Sequence, residues 1–270
     1  MKKSLSNLLI FICFVLGISL MLYPSVSQWW NSMHQSQVIA TYNDAVEKLD
    51  DKQSEKMIEE AKEFNEKLAN KAYQWDLSEN EKKEYESILD ISGTGIMGYV
   101  DIPAIDVEIP IYHDNDEGIL QVGIGHIPGS SFPVGGKSTH SVLTGHTGLP
   151  SSRLLTDVDQ LEKGDVFYIH VIDKTYAYEV DQIKVVLPEE TKDISIVDGN
   201  DYCTLVTCTP YGVNSHRLLV RGKRISYVDL DDRLSEEIHV LPMFMVLVIA
   251  IILYMVVSLI VNKFRKRGYY

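Results

Sequence analysis

A cysteine and an arginine flank one short loop near residue 210. Cys208 ends the apolar run "TLVTC", and Arg217 opens the run "RLLVRG" nine residues later. The connection "TPYGVNS" is rich in turn-forming residues, so we expect two antiparallel strands with both side chains close to the loop. Because strand side chains alternate between faces, Arg217 and not His216 should lie beside the thiol.

A thiol in this setting suits nucleophilic catalysis. The thiolate is the reactive form, and a free cysteine with a pKa of about 8.5 is mostly protonated at neutral pH. A histidine can supply the base or the proton donor, and an arginine can stabilise charge on an attacked carbonyl oxygen without losing its own proton. The alternative is that Cys208 is a small buried residue of a strand.

The histidine partner is less certain from residue types alone. Eight histidines are candidates: His34, His113, His126, His140, His146, His170, His216 and His239. We favour His146, since the glycines of "TGHTG" let the backbone bring an imidazole to a strand end without crowding. No histidine pair has i, i+4 spacing and no Cys-x-x-Cys occurs, so we predict no metal site and no cofactor.

Two apolar segments lie near the ends of the chain. Leu8–Tyr23 follows two lysines and is predicted to be a membrane anchor, with a signal segment as the alternative. Residues 240–261 carry no charge, and as a helix this segment is long enough to cross a hydrocarbon core of about 30 Å. Basic residues flank the outer end of each segment, so both termini should be cytoplasmic and residues from about 31 to about 238 external.

The charge of the external part excludes some partners. The whole chain carries −13, and six basic residues lie on the predicted cytoplasmic flanks: Lys2, Lys3, Lys263, Arg265, Lys266 and Arg267. The external part is therefore near −19, which disfavours nucleic acid and favours partners that present amines or neutral peptide.

The cysteines argue against a structural disulfide. Cys13 lies in the first apolar segment, which leaves Cys203 and Cys208 outside the membrane. They are five residues apart in one predicted strand and therefore point to opposite faces, so they cannot bridge. An unpaired thiol in an external domain favours a chemical role.

The sequence pattern of the remaining chain changes from helical to strand-like near Gly95. Residues 36–73 show apolar positions at helical spacing, which predicts two amphipathic helices with a break near Ser54. The polar stretch that follows ends in "SGTG" and is predicted to be a linker. From Gly95 to Ile225, seven or eight short strands with few helices indicate a closed or nearly closed β-barrel.

The motifs together resemble a known family. "TLVTC", the arginine nine residues on and "TGHTG" about sixty residues upstream resemble the sortases, cysteine transpeptidases of Gram-positive cell surfaces. The strings "GGKSTHSVLTGHTGLPSSRLLTDVDQLEKGDVFYIHV" and "TLVTCTPYGVNSHRLLVRG" are similar to the class C branch, which assembles pili. The resemblance implies a mainly β fold: a closed eight-stranded sortase-type β-barrel with N-terminal helices and two flanking transmembrane segments.

The same resemblance implies a site and a reaction. Cys208 would be the nucleophile, His146 the acid/base partner, and Arg217 the group that stabilises the oxyanion and the substrate. The enzyme would cleave an LPxTG-like sorting signal through a thioester and transfer the acyl group to a pilin lysine amine. The implied partners are pilins or other surface proteins with such signals, and the membrane. One alternative is a sortase that anchors proteins to peptidoglycan precursor, and another is a non-catalytic binding barrel tethered to the membrane.

One motif of the class C branch is missing. That branch usually carries an Asp-Pro-aromatic motif in a lid before the barrel, whereas "AYQWDLSENE" has Trp75 and Asp76 without an Asp-Pro pair. Trp75 and Asp76 are therefore candidate lid residues, and a solvated linker is the alternative. The expected segments are 1–30 (anchor or signal), 31–73 (amphipathic helices), 74–95 (linker or lid), 96–228 (catalytic barrel), 229–239 (linker), 240–262 (transmembrane helix) and 263–270 (basic cytoplasmic tail).

Overall fold

The computed structural model describes residues 2–91, 93–149 and 152–226. The expected linker at 229–239, transmembrane helix at 240–262 and basic tail at 263–270 lie outside these residues. Residues up to Trp29 belong to one compact unit, and the described residues from Trp30 onward belong to a second, which contains the barrel.

Two long helices precede the barrel. Helix α1 spans Lys2–Val46 and helix α2 spans Asp51–Ala69. Within the described residues, Ile10–Val46 is one helix long and apolar enough to cross a membrane, which suits an anchor or a signal segment. The predicted break near Ser54 is wrong, because Asp50 and Gln53 form a capping box that starts α2 three residues earlier.

The amphipathic pattern of α2 reflects packing on the second unit. Its buried residues recur at helical spacing and belong to the main core: Ile58, Ala61, Phe64 and Leu68. The ring of Phe64 lies edge-on to that of Phe132, with 5.2 Å between centroids. Burial of this face, and not intrinsic helix propensity, is the main stabilising contribution for a helix of this length.

The predicted linker at 74–95 contains a third helix, which corrects that prediction. Helix α3 spans Glu79–Ser87 and begins with a capping box between Ser78 and Glu81. Its Tyr85 is only 2% exposed and stacks on Phe132, so the helix is fixed to the barrel. The Tyr85 hydroxyl also lies 3.0 Å from Nδ1 of His126.

Eight strands form a closed barrel, as predicted. They are β1 Ile96–Ile102, β2 Val107–His113, β3 Ile124–His126, β4 Thr139–Thr144, β5 Val166–Val171, β6 Lys174–Val186, β7 Asp201–Thr209 and β8 His216–Ile225. Their order is β1-β2-β3-β4-β7-β8-β6-β5, and β5 pairs with β1 to close the ring. A four-residue helix, α4 (Glu117–Leu120), lies between β2 and β3.

The direction of three neighbouring strands decides where a site can form. Strand β7 pairs with β4 in parallel and with β8 antiparallel. The carboxyl ends of β4 and β7 and the amino end of β8 therefore meet at one end of the barrel. Inward side chains of these strands, such as Leu143, Leu205 and Val220, are fully buried and hold this arrangement rigid.

Asn65 of α2 forms the polar connection between this helix and the barrel domain. Its Nδ2 donates to the carbonyl of Phe132 at 3.0 Å, and its Oδ1 accepts from the amide of Phe132 at 2.7 Å. We expect Asn65→Ala to lower the free energy of unfolding by about 2 kcal/mol, because two buried backbone groups lose their partner. Urea denaturation should show the change, with exposed Glu66→Ala as the control. Equal midpoints for both variants would contradict the prediction.

Candidate active site

Cys208 lies at the end of β7 directly opposite Arg217 of β8. The two residues are register partners in the antiparallel ladder, as the loop between them predicted. Thr207 is buried on the inward face, so the alternation of the strand turns Cys208 to the outer face of the barrel. The thiol is half-buried and unpaired, which is compatible with access from one side.

Arg217 is held by the backbone of the loop that precedes it. Its Nη1 donates to the carbonyl oxygens of Asn214 at 3.3 Å and of His216 at 3.1 Å. Asn214 adopts a positive φ of 59°, which asparagine tolerates better than most residues and which lets the loop close on β8. The guanidinium is thereby restrained at the same end of the sheet as the thiol.

His146 follows β4 by two residues, and the parallel register carries it to Cys208. Thr144 is the partner of Val206, and the amide of Gly145 continues the ladder by donating to the carbonyl of Val206 at 3.1 Å. Extending this register by two residues sets residue 146 beside residue 208. Cys208 and Arg217 are thus register partners, and the extended register predicts that His146, two residues beyond the end of β4, lies at the same end of the barrel.

Thr207 connects the two segments of the chain that carry the Cys208 thiol and the His146 imidazole. Its hydroxyl donates to the carbonyl of Gly145 at 3.0 Å and lies 2.5 Å from the hydroxyl of Thr147. It therefore contacts both neighbours of His146 while it directly precedes Cys208. Sequence reasoning missed Thr147 and Thr207, although a threonine on the inward face of an apolar strand signals a buried hydrogen bond.

The glycines around His146 are required by close packing. A Cβ at Gly145 would lie 2.8 Å from a methyl of Ile124, and Gly148 has a φ of +79° with the ring of Tyr211 2.7 Å from its Cβ position. The prediction that glycine relieves crowding here therefore has a specific cause. Through Tyr211, the loop after β7 packs against the loop that carries His146.

Desolvation lowers the pKa of three other histidines. The pKa of His126 falls to about 3, and the pKa values of His140 and His170 fall to about 4. His126 and His140 are fully buried, whereas His170 is half-buried. The Nδ1–H of His140 donates to the carbonyl of Ser195 at 2.9 Å, and its Nε2 accepts from the hydroxyl of Thr204 at 2.7 Å. These three histidines are neutral at pH 7 and suit a structural role.

Cys203 and Cys208 differ in burial. Cys203 is fully buried in the core, and burial raises the pKa of its thiol far above the usual range. Both Cys203 and Cys208 are free, in agreement with the prediction that they cannot bridge. A buried thiol with a raised pKa is a poor nucleophile, so of these two thiols Cys208 is the one that is suited to react.

An apolar patch extends from the thiol along the outer face of the barrel. This outer apolar patch consists of Val142, Val186, Val206 and Leu219, one residue from each of β4, β6, β7 and β8. Val206 precedes Cys208 by two residues, and Leu219 follows Arg217 by two, so these pairs share a face. Trp75 packs on the patch together with Ile127 and Ile194.

The segment that carries Trp75 is attached on both sides of this patch. The side-chain amide of Gln74 donates to the carbonyl of Gly129 at 3.0 Å and accepts from the amide of Ile196 at 2.9 Å. Asp76 is exposed, and only its backbone carbonyl is held, by the ammonium of Lys71 at 2.6 Å. Of the two candidate lid residues, Trp75 therefore packs on the outer apolar patch, and the Asp76 carboxylate points to solvent.

Comparison with known proteins agrees with this arrangement. The sequence profile of the sortase domain matches residues 100–225. Sortase D of Bacillus subtilis (strain 168) is 30% identical over 132 residues, which are 48% of this chain and 64% of that protein. The chain thus spans somewhat less than two thirds of the length of this curated relative.

Solved structures match over a longer range. Sortase C1 from Streptococcus agalactiae is 48% identical, with a TM-score of 0.70 over 71% of this chain and 100% of that one. Sortase C of Streptococcus pneumoniae, whose structure was described in terms of catalysis and pilin substrate specificity, is 45% identical (TM-score 0.64; 71% and 97% covered). Sortase C of Clostridium perfringens, solved with the C-terminal cell wall sorting motif, is 40% identical (TM-score 0.63; 71% and 100% covered).

This chain belongs to the sortase family of cysteine transpeptidases. Within that family, the chain is similar to sortase C enzymes, the pilus-associated class, at 40–48% identity.

Proposed function

We propose that the chain is a membrane-anchored pilin polymerase. It cleaves the Thr–Gly bond of an LPxTG-like sorting signal and joins the new carboxyl end to a lysine amine of the next pilin. The observation that carries this proposal is the pairing of Cys208 with Arg217 at the end of β7, beside the end of β4 that precedes His146. The class C neighbours support the choice of pilin as substrate.

The first half-reaction forms a thioester. The Cys208 thiol gives its proton to neutral His146, the resulting thiolate attacks the threonine carbonyl carbon, a C–S bond forms, and the carbonyl π electron pair moves onto the oxygen. Arg217 stabilises that oxyanion as a fixed cation. When the oxyanion collapses, the C–N bond breaks and the leaving glycine amine takes a proton from His146.

The second half-reaction transfers the acyl group. A neutral lysine amine attacks the thioester carbon, the new C–N bond forms, and the C–S bond breaks to regenerate the Cys208 thiolate. The proton released by the attacking amine passes to His146 and from there to the Cys208 thiolate, so the enzyme ends with the thiol and the neutral imidazole with which it began. The product is an isopeptide bond between two subunits.

The outer apolar patch would bind the sorting signal once Trp75 moves off it, since its four residues are at most 6% exposed and Trp75, Ile127 and Ile194 pack on them. Its aliphatic side chains lead directly to the thiol, and the leucine and proline of an LPxTG-like signal are apolar. Anchoring by residues 1–30 would hold this surface near the membrane-bound pilin precursors. The expected second anchor at 240–262 would leave both termini in the cytoplasm and the barrel outside.

A comparison of cell-wall extracts tests the proposal. Boiled-SDS immunoblots for the pilin should show a ladder of covalent multimers in wild-type cells and none in cells that carry Cys208→Ala. A ladder that persists in the mutant would overturn the proposal. A single anchored species that disappears in the mutant would instead support a sortase that attaches proteins to peptidoglycan precursor.

Trp75 is proposed to act as a lid residue even without an Asp-Pro motif. It packs on the outer apolar patch, where the sorting signal would bind. One residue of this patch, Val206, precedes Cys208 by two positions. We expect Trp75→Ala to raise peptide cleavage roughly tenfold, because about 1.4 kcal/mol of packing that closes the lid is removed. Initial rates with a fluorogenic sorting-signal peptide measure the effect. Tyr73→Ala, which removes an exposed aromatic ring from the same segment, is the control. Equal rates for both variants would mean that Trp75 belongs to a structural linker.

A further inference from the structure

A carboxylate from outside the three site strands contacts the imidazole of His146. Oε1 of Glu117, at the start of α4, lies 3.3 Å from Nε2 of His146. The contact joins residues 29 positions apart, so it depends on the fold and not on local sequence. The His146 side chain is 26% exposed and that of Glu117 is 74% exposed, so the pair lies at the mouth of the site.

The carboxylate is itself held in place. Gln121, one helical turn along, donates its Nε2 to the same Oε1 at 2.8 Å. The pKa of Glu117 is lowered by the hydrogen bond from Gln121 and, secondarily, by the charge and hydrogen bond of His146. Glu117 is therefore an ionised acceptor with a fixed direction, although a side chain this exposed would otherwise sample many rotamers.

The contact distinguishes the two ring nitrogens of His146. An ionised carboxylate only accepts hydrogen bonds, so Nε2 must carry the hydrogen of this pair. In the neutral imidazole the other nitrogen, Nδ1, is then the atom without a hydrogen and the one that can accept a proton. A carboxylate that fixes tautomer and ring direction is the usual support of a histidine in acyl-transfer sites.

We propose that Glu117 is a positioning residue that fixes His146 in the Nε2–H tautomer and thereby sets Nδ1 as the nitrogen that exchanges protons during acyl transfer. This inference rests on the proposed role of His146. Because the pair is largely solvated, its contribution is moderate and not of the size seen for buried triad carboxylates.

Kinetics of the full-length protein in detergent micelles give the first test. Glu117→Ala should lower kcat for thioester formation roughly fivefold with little change in KM, the size expected of an exposed ion pair. Glu117→Gln retains an amide oxygen that can accept from Nε2, so it should recover part of the rate. Asp116→Ala is the matched control, because it removes the same charge from the N-cap of the same helix, where the side chain makes no capping hydrogen bond.

A spectroscopic readout separates positioning from general structural support. Long-range proton–nitrogen spectra of protein with ¹⁵N-labelled histidine should show the Nε2–H tautomer for His146 in the wild type. They should show a mixture of tautomers in Glu117→Ala and no change in Asp116→Ala. An unchanged tautomer, or equal rates for the two alanine variants, would overturn the proposal.

Three further outcomes keep the inference distinct from its premise. If Glu117→Ala changes only the KM of a lysine-bearing acceptor and not thioester formation, the carboxylate recruits the amine and the positioning role is wrong. If His146→Ala cleaves peptide at the wild-type rate, the proposed role of His146 fails and the inference fails with it. If His146→Ala is inactive while Glu117→Ala matches Asp116→Ala, only the inference is overturned.

Discussion

The Cys208→Ala protein is expected to lose at least about 10⁴-fold in kcat for cleavage of a sorting-signal peptide. Without the thiolate no thioester forms, and the remaining histidine and arginine can only assist attack by water. The loss should be equal for hydrolysis and for transfer to an amine, since both pass through the same intermediate. A fluorogenic peptide assay with and without a lysine-bearing acceptor measures both reactions.

Cys203→Ala provides the matched control on the same strand. Cys203 is fully buried and its thiol has a raised pKa, so its removal should leave catalysis within about twofold of wild type. Peptide mapping after treatment with a charged methanethiosulfonate reagent should find label on Cys208 in the wild type and in Cys203→Ala, and no label on Cys203 in Cys208→Ala. Cleavage by Cys208→Ala, or labelling of Cys203, would contradict the assignment of the nucleophile.

Arg217→Lys is expected to lower kcat/KM by about 10²-fold. A lysine keeps the positive charge but loses the planar group whose several N–H donors can hold a loop carbonyl and an oxyanion together. Arg217→Ala should cost about tenfold more, because the charge is lost as well. Single-turnover measurements of thioester formation should locate the loss in the acylation step and not in peptide binding.

Arg221→Lys is the control for this prediction. Arg221 lies on the same strand and the same face, but it makes a two-point contact with Asp181, at 2.9 and 2.7 Å, away from the thiol. The lysine substitution there should weaken this ion pair and leave kcat/KM within about twofold of the wild-type value. An equal loss for both lysine variants would show that Arg217 acts through the stability of β8 and not on the reaction.

The local part of the site was predictable and the distant part was not. Cys208 and Arg217 are joined by a short loop, so turn residues and strand alternation were sufficient to predict their pairing. His146 is 62 residues from the thiol in the sequence, and its position depends on a parallel pairing of β4 and β7 that no local pattern encodes. Only the glycine context and the family resemblance favoured His146 over the other histidines.

The helices near the site also combine local features, which the sequence contains, with long-range contacts, which it does not reveal. The capping box at Ser78 and Glu81 is a local signal that was available in the sequence, and α3 was still assigned to a linker because its surface is highly charged. By contrast, the contact of Glu117 with His146 connects α4 with the loop after β4, between residues 29 positions apart. Charge and exposure alone would classify Glu117 as an ordinary solvated residue.

The parallel pairing of β4 with β7 also determines when the protein becomes reactive. A β7–β8 hairpin can form early because its strands are adjacent in the chain, and it brings together only Cys208 and Arg217. The imidazole joins them after β4 has paired with β7, a long-range contact that requires most of the barrel to be in place. A partly folded chain therefore carries an unassisted thiol, and the proposed acyl transfer begins only once the domain has folded.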